Sequence, residues 1–137
     1  MALKLEIVTP EKKIFSDTVE NVYLPGADGE MGILPMHAGL VTALQPGELR
    51  YQHRGEVQKL AIGSGFAEVT QTKVIVLTDS ALGEADIDEA HVEEAIKRAH
   101  EKLAAVDHNL NTEEVAYLQG VIAKSTAALH FKRKYRH

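Results

Sequence analysis

A β-sandwich followed by an antiparallel two-helix hairpin is the architecture this sequence predicts. Up to about residue 82 the apolar residues come in short runs divided by turn signals. Near residue 85 their period lengthens from two to about three and a half, and two seams at helical spacing follow. With 137 residues, 45% hydrophobic and 26% charged, the chain has the balance of a globular protein. A chain of this size buries about two-thirds of its unfolded surface.

Leu3, Leu5 and Ile7 alternate with Lys4 and Glu6, the mark of a strand with one face in a core and one in water. Further strands are expected at Val57 with Leu60 to Ile62, at Phe66 to Val69 and at Val74 to Leu77. Between them, Pro25-Gly26, Asp28-Gly29, Pro46-Gly47 and Arg54-Gly55 supply the fixed or positive φ of tight turns. The run Val74-Ile75-Val76-Leu77 has no polar alternation, which predicts a strand covered on both faces or crossing between sheets. From Gly26 to Ala38, three glycines and a proline fix the backbone while Met31, Ile33, Leu34 and Met36 are apolar. That stretch reads as a rigid apolar loop, set either against another protein or back over the sandwich core.

Asp86 with Glu89 has capping-box spacing, so a helix is expected to start there, with the domain boundary between residues 85 and 86. Val92, Ile96, Ala99, Leu103 and Val106 form its seam. Glu93 with Lys97 and Glu94 with Arg98 support it from outside, at about 0.2–0.5 kcal/mol each. Asp107 to Asn111 is a polar break, and Asn111 with Glu114 repeats the capping spacing. Val115, Leu118, Ile122, Ser125 and Leu129 give the second seam, closing a hairpin of two helices of ~20 residues each. Small Ala99 and Ser125 in the seams, and Gly120 inside the second helix, mark 86–137 as the less stable part.

The absence of cysteine excludes a disulfide framework, a thiolate nucleophile and a cysteine-ligated metal. No stretch approaches the ~18 apolar residues that span a bilayer, and the first residues lack the apolar core of a secretory signal. Membrane association is therefore expected to go through a partner, without direct insertion. Gly63-Ser64-Gly65 has neither the following helix of a nucleotide fingerprint nor the Gly-x-Ser-x-Gly of a serine hydrolase. It reads as glycines at a bulge or tight turn. The histidines His37, His53, His91, His100, His108, His130 and His137 show no metal-ligand spacing. No catalytic residue, cofactor or metal is expected.

Residues 1–85 carry 7 Lys/Arg against 11 Asp/Glu and residues 86–137 carry 8 against 9, giving the net charge of −5. The second part is polarised: it opens on acids from Asp86 to Glu94 and has no acid after Glu114. Lys124, Lys132, Arg133, Lys134 and Arg136 suit the carbonyl end of a helix, and also an acidic protein surface. A nucleic-acid partner is not expected, because such binders are usually basic overall.

With these residues in view, the sequence resembles the epsilon subunits of bacterial F-type ATP synthases along nearly its whole length. Leu5-Glu6-Ile7-Val8-Thr9-Pro10 is similar to the family's first strand. Gly29-Glu30-Met31-Gly32-Ile33-Leu34-Pro35-Met36-His37-Ala38 resembles its Gly-Glu-x-Gly-x-x-Pro-x-His-Ala signature. Leu44-Gln45-Pro46-Gly47, Gly63-Ser64-Gly65-Phe66 and Leu77-Thr78-Asp79-Ser80-Ala81 follow in family order.

The resemblance implies a sandwich of about ten strands over 1–85, bound to the gamma subunit and the membrane c ring, and a regulatory hairpin over 86–137. It implies a non-catalytic rotor subunit that couples gamma to the c ring during proton-driven ATP synthesis, peripheral to the cytoplasmic face of the membrane. By motif position, Asp28, Gly29, Glu30, Met31 and Gly32 are the expected c-ring contact. His37, Ala38, Leu40, Val41 and Thr42 are expected near gamma.

In the family the hairpin either folds against the sandwich or extends along gamma into the alpha/beta hexamer, where its basic second helix slows hydrolysis. Lys124, Lys132, Arg133, Lys134 and Arg136 are the residues that would act there. Some relatives bind ATP through Ile/Leu-Asp-x-x-Arg-Ala. Here Ile87 and Asp88 are kept, but His91 stands for the arginine and Val92 for the alanine, which removes the fixed cation suited to phosphate. Two readings of other classes stay open from the residues alone: a free-standing sandwich adaptor whose hairpin docks a partner helix, and a small hydrolase using Ser64 and a histidine.

Overall fold

The computed structural model of the protein describes residues 2–136 and divides the chain into two compact units, one ending at Gly83 and one beginning at Glu84. His137, one of the seven histidines named above, lies outside the described residues. The first unit holds ten strands: β1 (Leu3–Val8), β2 (Lys13–Val19), β3 (Asn21–Gly26), β4 (Gly29–Ile33), β5 (Leu40–Leu44), β6 (Gly47–His53), β7 (Glu56–Ile62), β8 (Gly65–Val69), β9 (Lys73–Thr78) and β10 (Ala81–Leu82).

Hydrogen bonding runs in the order β10-β7-β6-β3-β5-β8-β9-β1-β2, with β4 paired to β3. The pairs are antiparallel except β1 with β9, which run parallel. β3 and β5 share one residue pair, Gly26 with Leu44, so the path is nearly two sheets. Phe15 of β2 lies 4.5 Å ring to ring from Tyr51 of β6, which brings the far end of the path back over the other half as a sandwich.

Pleating decides which side chains enter. Leu3, Leu5 and Ile7 of β1 are fully buried, as are Val22 and Leu24 of β3, Leu49 of β6 and Val74 and Val76 of β9, all in one cluster. The expectation that 74–77 is covered on both faces is corrected. β9 alternates, and Leu77 is 52% exposed. Its outward residues are simply apolar, so the composition of the run hid its period.

The rigid loop expected from Gly26 to Ala38 is also corrected. Its first part is the end of β3, a two-residue turn at Ala27 and Asp28, and β4, and only residues 34–38 form a loop. Ile33 enters the core and Met31 packs partly against it, while Leu34 and Met36 are exposed. The i, i+2 spacing of Met31 and Ile33 was the strand signal.

The second unit opens with a 3-10 turn, Glu84–Asp86, closed by the Ile87 N–H donating to the Glu84 carbonyl at 3.3 Å. Helix α1 (Glu89–Ala105) is capped by Asp88, whose carboxylate accepts from the His91 N–H at 3.2 Å. Asp86, the expected cap, is taken up by the tighter turn. Helix α2 (Thr112–Tyr135) follows Asn111, which stands at the N-cap without a side-chain bond. The break before it is held by Asp107, whose carboxylate accepts from the N–H groups of Asn109 at 2.9 Å and Leu110 at 3.3 Å. Ala99 and Leu118 of the expected seams are buried, and so is Phe131, which lies beside the second seam and meets Tyr135 edge-on at 5.0 Å.

Candidate interaction surfaces

The β3–β4 tip carries the expected c-ring residues. Gly29, at φ 131°, closes the turn in a conformation that suits glycine. Asp28, Gly29, Glu30 and Gly32 are exposed, whereas Met31 turns partly into the core. Glu30 is not free. Both its oxygens accept from Arg50 of β6, from Nη1 at 3.1 Å and Nη2 at 3.0 Å. The Arg50 guanidinium lies 4.8 Å from the centre of the Tyr23 ring. Tyr23 in turn pairs with Gly32, where a Cβ would come within 3.0 Å of the ring.

The expected gamma residues run from a tight turn into β5. Met36 has φ 68°, a left-handed conformation rare for a side chain of its size. Its N–H donates to the Gln71 carbonyl at 2.7 Å, which pins the turn. His37 Nδ1 lies 2.7 Å from the Ala38 carbonyl, and Thr42 Oγ1 donates to Ala43 at 3.3 Å. Leu40 packs against the core, while Val41 is 72% exposed.

Val41 belongs to a wider apolar face that the sequence reading missed. Across β5, β8, β9 and β1, Ala43 pairs with Phe66, Phe66 with Leu77 and Leu77 with Val8. Phe66 is 59% exposed, so the outer face of the sheet presents a row of apolar side chains beside Val41. The signal available was the unbroken apolar run ending in Leu77.

Near this face, Ser64 has its carbonyl accepting from Thr78 Oγ1 at 3.1 Å. The shallow hollow it lines with Val8, Thr9, Pro10 and Leu77 contains no histidine that could serve as its base. A Cβ on Gly65 would run into the Leu77 carbonyl, so that glycine is set by a close backbone approach, whereas one on Gly63 would meet the side chains of Asp79 and Ser80. Among the described residues, no group of three His, Asp or Glu side chains is placed to hold a metal ion.

In the second unit the basic end of α2 meets the acidic start of α1. Lys132 donates to the Glu84 carboxylate at 2.9 Å and to its carbonyl at 3.0 Å. Arg133 reaches Glu89 at 2.7 Å and Glu93 at 2.6 Å, and Arg136 reaches Glu89 at 2.6 Å. The Arg133 hydrogen bond holds the Glu89 carboxyl below the usual carboxylate range, helped by Arg136. Glu93, expected to support α1 through Lys97, reaches across to Arg133, while Glu94 and Arg98 pair at 3.1 Å as expected. Lys134 lies 5.1 Å from the Tyr135 ring centre, and Lys124 is exposed further back on α2. Of the nucleotide-motif residues, Ile87 is buried, Asp88 caps α1 and His91 is exposed.

The family model described as "ATP synthase, Delta/Epsilon chain, beta-sandwich domain" matches residues 2–84. An ATP synthase epsilon chain of Dehalococcoides mccartyi is 44% identical over 126 residues, covering 92% of this chain and 83% of the relative. That of Desulforamulus reducens is 48% identical over 100 residues, covering 73% and 76%. Among solved structures, a chain of the Euglena gracilis mitochondrial ATP synthase, in its OSCP/F1/c-ring assembly, superposes with a TM-score of 0.75 at 25% identity. That match covers 94% of this chain and 82% of the other. A chain of the Tetrahymena thermophila enzyme, at 13% identity and a TM-score of 0.56, shares the fold.

Proposed function

The chain belongs to the ATP synthase epsilon-chain family, and from that premise we propose that its sandwich joins the gamma subunit to the c ring while its hairpin restrains ATP hydrolysis. It is a non-catalytic central-stalk subunit of the complex. The observation that carries the gamma contact is the outer face on which Val41, Phe66 and Leu77 are each more than half exposed, with Phe66 and Leu77 paired side by side. The Glu30 tip lies on the other half of the strand path, which supports a separate contact there with the c ring. Among the described residues no helix is long and apolar enough to cross a membrane. Attachment to the cytoplasmic membrane face then goes through the c ring.

The inhibitory role is supported by the cations of α2, which an acidic hexamer surface could take only in exchange for Glu84, Glu89 and Glu93. Asp88 is committed to capping α1 and position 91 offers no permanent charge, which supports a hairpin that works without bound ATP. Micromolar ATP binding in a calorimetric titration would overturn that point.

The test is titration of the purified chain into an epsilon-free catalytic core containing gamma. Saturable binding and falling ATP hydrolysis are expected. Phe66→Glu and Leu77→Glu, both at exposed positions, should weaken binding by on the order of tenfold or more. Unchanged affinity in both would remove gamma from this face. Alanine at Lys132, Arg133 and Arg136 together should relieve inhibition while binding persists, and inhibition unaltered at every salt concentration would end the inhibitory reading.

A further inference from the structure

Family resemblance singles out Glu30, and the structure shows what holds it. Three strands contribute. In β4, Gly32 stands opposite Tyr23 of β3, and Tyr23 stands opposite Arg50 of β6, so the three share one row across the sheet. Gly32 has no side chain, and the tyrosine ring occupies the space where a Cβ would sit, 3.0 Å from Cε1. The ring makes a platform 4.8 Å from the Arg50 guanidinium. From that platform Arg50 grips Glu30 with two parallel N–H bonds, at 3.1 and 3.0 Å, and has Glu48 beside it at 3.5 Å.

We propose that Arg50 is a positioning residue for the rotor contact: it fixes the Glu30 carboxylate at the β3–β4 tip in the orientation in which a partner's hydrogen-bond donors meet it. This rests on the reading that the tip faces the c ring. The fork occupies one lone pair on each oxygen, and the carboxylate, with the Glu30 side chain 52% exposed, keeps the others for a partner. A glutamate two residues from a turn would otherwise sample several rotamers and lose them on docking. Pre-arrangement by Arg50 removes that loss. It also explains two parts of the Gly29-Glu30-Met31-Gly32 segment at once: the glycine makes room for the platform and the glutamate receives the fork.

The experiment measures the affinity of a reconstituted catalytic core carrying this chain for membranes stripped of their own core, with binding of the chain to gamma as the control. Glu30→Ala, Arg50→Ala and the double variant complete a cycle. Arg50→Ala should weaken membrane rebinding about threefold to tenfold, with gamma binding intact. It should add nothing in the Glu30→Ala background, because a positioning residue has no effect once its client is gone. Arg50→Lys, which keeps the charge but not the two-pronged fork, should fall short of the natural protein. Additive losses, or full affinity in Arg50→Ala while Glu30→Ala is impaired, would overturn the role of Arg50 alone. Full affinity in Glu30→Ala would overturn the c-ring reading of the tip and the inference with it.

Discussion

The two units are held together by different physics. The sandwich brings fifteen buried apolar side chains, drawn from nine of its ten strands, into one cluster. Among the described residues the two helices bury only Ala99, Leu118 and Phe131, and their open end is fastened by Lys132, Arg133 and Arg136 on Glu84, Glu89 and Glu93. Apolar burial is insensitive to salt and to mild acid, while partly exposed ion pairs answer to both. The rigid unit is therefore suited to permanent attachment, and the hairpin to changing its state at small cost.

The largest expected effect sharpens this contrast. Leu24→Ala removes a fully buried side chain from the sandwich and should cost about 2–5 kcal/mol in denaturant unfolding. Leu118→Ala should show instead as faster local hydrogen exchange in the helices, with the main transition little moved. Equal losses in one cooperative transition would break the comparison.

Glycines give the next test, with opposite signs in the two units. Gly65→Ala forces a Cβ into the Leu77 carbonyl and should destabilise the sandwich by about 1–3 kcal/mol. Gly120 has nothing within 4 Å of where its Cβ would sit, so Gly120→Ala should stabilise α2 by about 1 kcal/mol, read as helicity at raised temperature.

The smallest effect is pH dependence. Arg133 and then Arg136 hold the Glu89 carboxyl below its ordinary value of about 4.3, so the stabilisation is fully present above that value and disappears as pH falls through the lower folded one. Hairpin helicity should decline over that acidic window, and Glu89→Gln should flatten the decline. An identical profile in the variant would show that the pair contributes nothing to closure.

Much of this was legible in the residues. The Leu3, Leu5, Ile7 alternation and the helical seams are local patterns, and burial followed them. Leu77 was misread because an outward position was apolar, which erases period without changing the strand. Asp86 and Asp88 offered two caps two residues apart, and only the 3-10 turn chooses between them. Glu30 could be picked out by motif, but its partner Arg50 is twenty residues away and becomes a neighbour only through strand register. The basic end was visible as charge, while its pairing with Glu84, Glu89 and Glu93 depends on how the hairpin closes.

The parallel pairing of β1 with β9 has a consequence for how the chain comes to be folded. Lys4 lies beside Lys73, 69 positions on (73 − 4), so the first strand waits for nearly the last before its second edge is covered. β1 and β2 can zip locally, but the long closure that follows is of the kind that slows folding. Until it happens, a strand with four apolar residues and an open edge is available to other chains. Weakening the β1–β9 seam should therefore show first as lost yield on refolding at high protein concentration, before any loss in the stability of molecules that have already closed.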